Sequence, residues 1–166
     1  HYAIEIGTLN YTQPILTRIH SACFTGDILH SLKCDCGDQL TESIAQIKKA
    51  GNGIILYLNQ EGRGIGLANK MRAYKLQDSG LDTFDANHQL GFEDDERDLS
   101  VGAKILVRLG IRKINLLTNN PSKIYNMENH GIKVVRRIPL VTKITAENKE
   151  YLKAKKEKSG HILFQN

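Results

Sequence analysis

The sequence predicts a single α/β domain with a mixed or largely parallel sheet flanked by helices. Three observations lead there. Short apolar segments of strand character alternate with helical segments of about 10–15 residues. Glycine-rich or Asn-Pro turns separate them, and 166 residues suit one domain with a sizeable core. Ile15 to Ser21 (ILTRIHS) alternates as a strand. Asp38 is placed to cap a helix carrying Leu40, Ile44 and Ile47 on one stripe, with Gly51 as its stop. GIILYL, Gly53 to Leu58, reads as a buried strand. QEGRGIG then turns into the helical LANKMRAYKLQDSG, closed by Gly80. Leu99, Ala103, Leu106 and Leu109 stripe a further helix, KINLLT from Lys113 is an apolar strand, and Pro121 starts another helix in its favoured first turn. A strand over Ile132 to Ile138 and a last helix from Thr145 to Lys158 complete the order. In such sheets ligands bind where strands end and turn into helices. The cysteine turn, QEGRGIG and TNNPSK are therefore the candidate site.

Composition narrows the function. The chain is 40% apolar and 25% charged, an ordinary globular balance. It has no apolar run of membrane-spanning length and no secretory signal pattern at its start, so no membrane partner is expected. The formal charge is +5, and much of the excess lies in the lysine-rich NKEYLKAKKEKSGHILFQN, which reads as a solvated helix face rather than a nucleic-acid tail. Three cysteines are an odd number for a disulfide framework, so reduced thiols or metal ligands in the cytoplasm are expected.

Cys23, Cys34 and Cys36 pair a strand end with a C-x-C before a helix, and can converge on one metal. A structural zinc site closes with four protein ligands, which here would recruit His20, His30 or Asp35; a catalytic one keeps three and an open position. Zinc with two or three cysteines also delivers water to nucleobase rings in deaminases, which points to a purine or pyrimidine substrate. The glycines of QEGRGIGL can present backbone N–H groups to phosphate, although the spacing matches neither the dinucleotide fingerprint nor the Walker pattern. Arg63 adds a guanidinium suited to phosphate. FEDDERD gathers carboxylates around Arg97, either as helix N-terminal charge, as an acid–base pair with the arginine, or as magnesium ligands beside substrate phosphates. TNNPSK offers a cap, or Thr118 and Lys123 as phosphate or base contacts. His88, His130 and His161 have no evident partners at metal spacing, and Tyr57, Tyr125 and Tyr151 read as interior packing.

Taken together, RIHSACFTGD, SLKCDCGDQL, YLNQEGRGIGLANKMRAYKLQD, GLDTFDANHQLGF, DDERD, LLTNNPSK and KKEKSGHIL resemble, in order and over nearly the whole chain, the GTP cyclohydrolase II family of riboflavin synthesis. The resemblance implies a zinc- and magnesium-dependent hydrolase that opens the imidazole ring of GTP and releases formate and pyrophosphate. It assigns zinc to Cys23, Cys34 and Cys36, and it makes Arg97 a nucleophile at the α-phosphate with Asp95 as proton acceptor. Tyr74 assists the ring chemistry. Arg18, His20, Ser21, Gln39, Glu61, Gly62, Arg63, Thr83, Thr118 and Lys123 fall on its nucleotide-binding positions. A bare guanidine is scarce at neutral pH, so Arg97 can instead serve by stabilising phosphoryl charge.

The resemblance further implies a homodimer and a GTP cyclohydrolase II-like domain over 1–166. Family members carry more residues before the HYAIEIG strand, so this reads as an N-terminally short chain or as the C-terminal half of a fusion with dihydroxybutanone-phosphate synthase. Two positions depart from the family pattern: Ala22 stands where a glutamate usually precedes the first zinc cysteine, and Leu99 where an aromatic often follows DERD. A catalytically inert homologous domain, a zinc-stabilised nucleic-acid-binding module and a thiol redox protein are the alternative readings.

Overall fold

A computed structural model of the chain describes residues 1–142, 144–149, 151–153, 157, 160 and 162. Five strands, β1 (Tyr2–Ile6), β2 (Ile15–Ser21), β3 (Gly53–Leu58), β4 (Lys113–Leu117) and β5 (Lys133–Ile138), form one sheet in the order β1-β3-β2-β4-β5. β1 runs antiparallel to β3, and every other pairing is parallel, so the sheet is mixed. The helices are α1 (Cys36–Ala50), α2 (Gly66–Asp78), α3 (Thr83–Gln89), α4 (Ser100–Arg108) and α5 (Pro121–Asn129).

Both faces of the central strands are covered, which explains why GIILYL is apolar throughout rather than alternating. Ile54, Leu56 and Leu58 pack with Ile19, Leu106, Ile114, Leu116 and Met127 under α4 and α5. Ile55 and Leu117 pack with Ile47 and Leu40 of α1 on the other face. Strand alternation consequently sends Arg18 and His20 of β2, and Tyr57 of β3, to the α1 side. The register Arg18↔Ile55 and His20↔Tyr57 sets them next to one another.

The predicted boundaries hold to within a residue or two for β2, β3, β4, β5, α4 and α5. Gly51 stops α1 with a left-handed φ of 86°, its N–H donating to the Lys48 carbonyl. Pro121 occupies the first turn of α5, capped by Asn120 Oδ1 accepting from Ser122 N at 2.9 Å. α1 differs from expectation at its start: Cys36 is its first residue and Asp35 its flanking one, with Asp38 inside the first turn. The Asp35 carboxylate is turned into the fold instead of capping, and accepts from Gln39. α3 was not foreseen, because TFDANHQ carries no apolar stripe; Asp82 Oδ1 accepts from Asp85 N at its entrance. The helix expected over 145–158 runs into residues outside the described ones. Its opening is described, with Thr145 and Asn148 bonded reciprocally and Leu152 N donating to the Asn148 carbonyl. His161 also lies outside the described residues. Among those described, no helix is long and apolar enough to cross a membrane.

Candidate active site

β2, β3 and β4 are adjacent and parallel, so their carboxyl ends open on one edge of the sheet. A cavity of about 140 Å³ lies there, lined from all three ends and from α1 and α2. Just beyond β2, Cys23 leads into a wide turn, Phe24–Ile28, and the loop entering α1 brings Cys34, with Cys36 as the first residue of α1, back against it. The three sulfurs lie within 4.8 Å of one another, with Cys23 Sγ and Cys34 Sγ 3.8 Å apart.

Two glycines permit this closure. A Cβ on Gly26 would stand 3.0 Å from Cys34 Sγ and 3.1 Å from Cys23 Sγ, and one on Gly37 would meet the Gly26 carbonyl. The thiols share their protons. Cys23 is held far below the ordinary thiol value, first by hydrogen bonds from Cys34 and Cys36, while Cys34, as donor to Cys23, is pushed up. Three soft donors, two buried and Cys36 half-buried, with one already favouring thiolate, suit zinc. Among the described residues no histidine or carboxylate joins this group, so the four-ligand closure through His20, His30 or Asp35 is not formed.

Asp27 ties the cysteine turn to β2 and β3. Its carboxylate accepts from Cys23 N (3.0 Å), Tyr57 Oη (2.8 Å) and His20 Nε2 (3.0 Å). The His20 ring stacks on Tyr57 at 5.5 Å, and its Nδ1 faces Arg18 NH2 at 3.4 Å. Burial pushes the His20 pKa down, against the pull of Asp27, and so favours the neutral ring. Arg18 is buried, which lowers it to about 10. It donates to the Leu117 carbonyl (3.0 Å) and to Gln39 Oε1 (2.6 Å), while its buried Nε has no protein partner. Gln39 Nε2 in turn donates to Asp35 Oδ2 at 2.5 Å.

In the same cavity, Arg97 forms a two-pronged pair with Asp95, Nε to Oδ1 at 2.7 Å and NH2 to Oδ2 at 2.5 Å, and its NH1 donates to Ser21 Oγ at 3.2 Å. Burial opposes both charges, but the pair outweighs it: Asp95 is pulled below the ordinary aspartate value and Arg97 is raised. The other carboxylates of FEDDERD disperse. Asp94 pairs with His88 (2.8 Å), an exposed ion pair outside any metal-holding group among the described residues, and Asp98 Oδ1 accepts from Ser100 N at the head of α4. The QEGRG turn is bound to the same loop by Glu96 N donating to the Arg63 carbonyl and Arg63 NH1 donating to the Asp94 carbonyl. Gly64 leaves no room for a Cβ against Glu96, and Gly62 and Arg63 take left-handed φ values of 62° and 60°. Glu61 accepts from Phe24 N at 2.6 Å, joining the two turns.

At the end of β4, Thr118 Oγ1 accepts from Asn120 N and Lys123 Nζ donates to the Ile19 carbonyl at 2.7 Å. Tyr74, whose hydroxyl burial pushes up, faces the cavity from α2. Thus Arg18, His20, Ser21, Gln39, Glu61, Gly62, Arg63, Tyr74, Arg97, Thr118, Lys123 and the three cysteines all line one cavity, with Asp95 held behind Arg97. Thr83 opens α3, and its side chain lies outside the described ones. Sequence reasoning missed Asp27, Lys70 and the polar use of Tyr57. The signal for Lys70 was its position four residues before Tyr74, on the same helix face. Tyr57 and Tyr151 line or brace the site rather than merely packing, and Tyr125 is exposed on α5. His130 Nδ1 donates to the Asn126 carbonyl at 2.8 Å.

A mixed α/β sheet whose strand ends open on three clustered thiols, able to hold a metal ion, and on a cavity lined by Arg18, Arg97 and Lys123 defines the class: an α/β protein with its site at the carboxyl edge of the sheet. The particular family follows from comparison with known proteins. The family model for GTP cyclohydrolase II matches residues 1–139, and the chain belongs to that family. It is 53% identical over its full length to a GTP cyclohydrolase-2 of Histophilus somni (strain 2336), covering 77% of that protein, and 53% identical over 164 residues to one of Proteus mirabilis (strain HI4320), covering 82%. It is also 52% identical over 163 residues to the riboflavin biosynthesis protein RibBA of Endomicrobium trichonymphae, of which it spans 40%.

Proposed function

We propose that this domain hydrolyses GTP to formate, pyrophosphate and 2,5-diamino-6-(5-phosphoribosylamino)pyrimidin-4-one, a riboflavin-synthesis step. The observation that carries the reading is the convergence of Cys23, Cys34 and Cys36 within 4.8 Å at the wall of the same cavity that holds Arg18, Arg97 and Lys123. Zinc held by the three thiolates supplies Lewis-acid and water-activating chemistry. Arg18, with a buried Nε left over, Gln39, Thr118 and Lys123 bind and orient the nucleotide; His20 orients Arg18, and Ser21 steadies Arg97. Glu61, Gly62 and Arg63 form the turn over the phosphates, and Thr83 contributes from α3. Tyr74 keeps its proton at neutral pH and can donate it as a hydrogen bond to the opening ring.

The Asp95 clamp favours the electrostatic role for Arg97 over the nucleophilic one. A guanidinium held two-pronged by an ionised carboxylate stays charged, and it stabilises charge developing at the α-phosphate. Rapid quenching with α-phosphate-labelled GTP separates the two: label on the protein means a nucleophile, and label only on small molecules means electrostatics. Magnesium enters with the triphosphate, needing one or two protein carboxylates at most. The protein works as a homodimer in the cytoplasm, where its three cysteines stay reduced. Residues 1–166 act as one domain: Leu140 is pinned by Asn119, and Leu152 is buried.

Zinc-loaded protein with GTP and magnesium is expected to release formate and pyrophosphate together. Pyrophosphate alone would place the failure at the ring-opening half, and neither product would favour an inert domain.

A further inference from the structure

One buried cation plays no part in the reading above. Lys70 of α2 is 8% exposed, and its ammonium donates to Cys23 Sγ at 3.1 Å, Thr25 Oγ1 at 2.8 Å and Glu61 Oε1 at 3.0 Å. It also lies 5.7 Å from the centre of the Tyr74 ring. Its stem is held as firmly as its head: a Cβ on Gly62 would come within 3.1 Å of Lys70 Cβ, so the glycine turn folds down onto the lysine. Burying an ammonium costs free energy unless every proton has a partner. Here a sulfur, a hydroxyl and a carboxylate provide them.

We propose that Lys70 is a positioning residue of the metal centre, donating to Cys23 Sγ so that this sulfur gives less electron density to a bound metal and is itself a poor nucleophile. The proposal rests on the metal reading above. A metal ringed by three thiolates is electron-rich, and its sulfurs compete with it for electrophiles. A charge-assisted hydrogen bond to one sulfur withdraws density from both. Because the same ammonium bonds Glu61, it also fixes the QEGRG turn at a set distance from the thiols.

Cobalt(II) in the full chain is the probe, since sulfur-to-cobalt charge-transfer absorption reports the electron density on the sulfurs. Lys70→Met should move that band to longer wavelength, and Lys70→Arg, which keeps charge and donors, should leave it near its original position. In the zinc-loaded protein, iodoacetamide should alkylate Cys23 about tenfold faster in Lys70→Met than in the unaltered chain, the scale of one charge-assisted hydrogen bond. A measurement without any variant guards against misfolding: in the unaltered zinc-loaded chain Cys23 should be alkylated more slowly than Cys34, which is similarly buried (5% against 8%). A band and an alkylation rate unchanged by Lys70→Met would overturn the role of Lys70 alone, as would Cys23 reacting before Cys34. No charge-transfer band in the unaltered chain would overturn the metal reading with it.

Discussion

The cysteine turn and the acidic loop make opposite use of their sequence density. Cys23, Cys34 and Cys36 are spread over two elements, yet their sulfurs gather within 4.8 Å. Asp94, Asp95, Glu96 and Asp98 are nearly contiguous, yet their carboxylates take separate partners: His88 for Asp94, Arg97 for Asp95, the Glu93 amide for Glu96, Ser100 for Asp98. The thiols are soft, apolar and weakly repelling, and glycines at 26 and 37 let two backbones close around them. The carboxylates repel one another and gain more from caps and cations at hand. Clustering along a chain is therefore a poor guide to clustering in space.

The strongest way to break that contrast is Cys36→Ser. It should abolish zinc binding, read by metal analysis after gel filtration, and lower formate release by at least about 100-fold, beyond what loss of a metal's outer contacts costs. Formate release that survived would refute the ring-opening assignment. Next in size is Arg97→Lys, which keeps charge but cannot make the two-pronged contact with Asp95. Pyrophosphate release should fall about 100-fold with zinc content unchanged.

Gly26→Ala tests the turn rather than the donors. All three cysteines remain, but the added methyl presses on two sulfurs, so zinc affinity should drop about tenfold in a chelator competition. Unchanged affinity would mean that the turn yields without effect. The acidic loop offers the smallest effects. Asp94→Asn, at an exposed pair, should change stability by no more than about 0.5 kcal/mol and leave both products intact.

Asp95 adds a pH signature to the contrast. Its folded pKa lies below the ordinary 3.8, so between the two values the unfolded chain binds more protons and stability rises with pH. The contribution is complete above the unfolded value and is lost as pH falls through the folded one. Asp95→Asn should remove that dependence from acid-unfolding curves.

Much of this was legible beforehand, for identifiable reasons. Ile15–Ser21 and Gly53–Leu58 carry strand periodicity or a bounded apolar run, and Gly51 and Pro121 are strong punctuation at helix ends. The three suspected turns do meet, because parallel neighbours place their carboxyl ends together. α3 was hidden because its helicity rests on a local cap and tertiary packing, without a stripe. Asp38, read as the cap, lies inside the first turn because α1 already starts at Cys36, and the flanking Asp35 carboxylate accepts from Gln39.

Local chemistry along the chain thus determined the element types, the soft-donor character of the cysteines and the family to which they belong. Only the tertiary structure decided which side chains meet: that Asp27 binds His20, Tyr57 and the Cys23 amide at once, that Lys70 reaches Cys23 across the domain, and that Asp95 locks Arg97 while its neighbours turn away. Periodicity and capping act between residues a few positions apart, whereas these contacts join distant segments or choose among equivalent neighbours. Both outcomes are set by strand order and by how closely glycine lets the backbones approach.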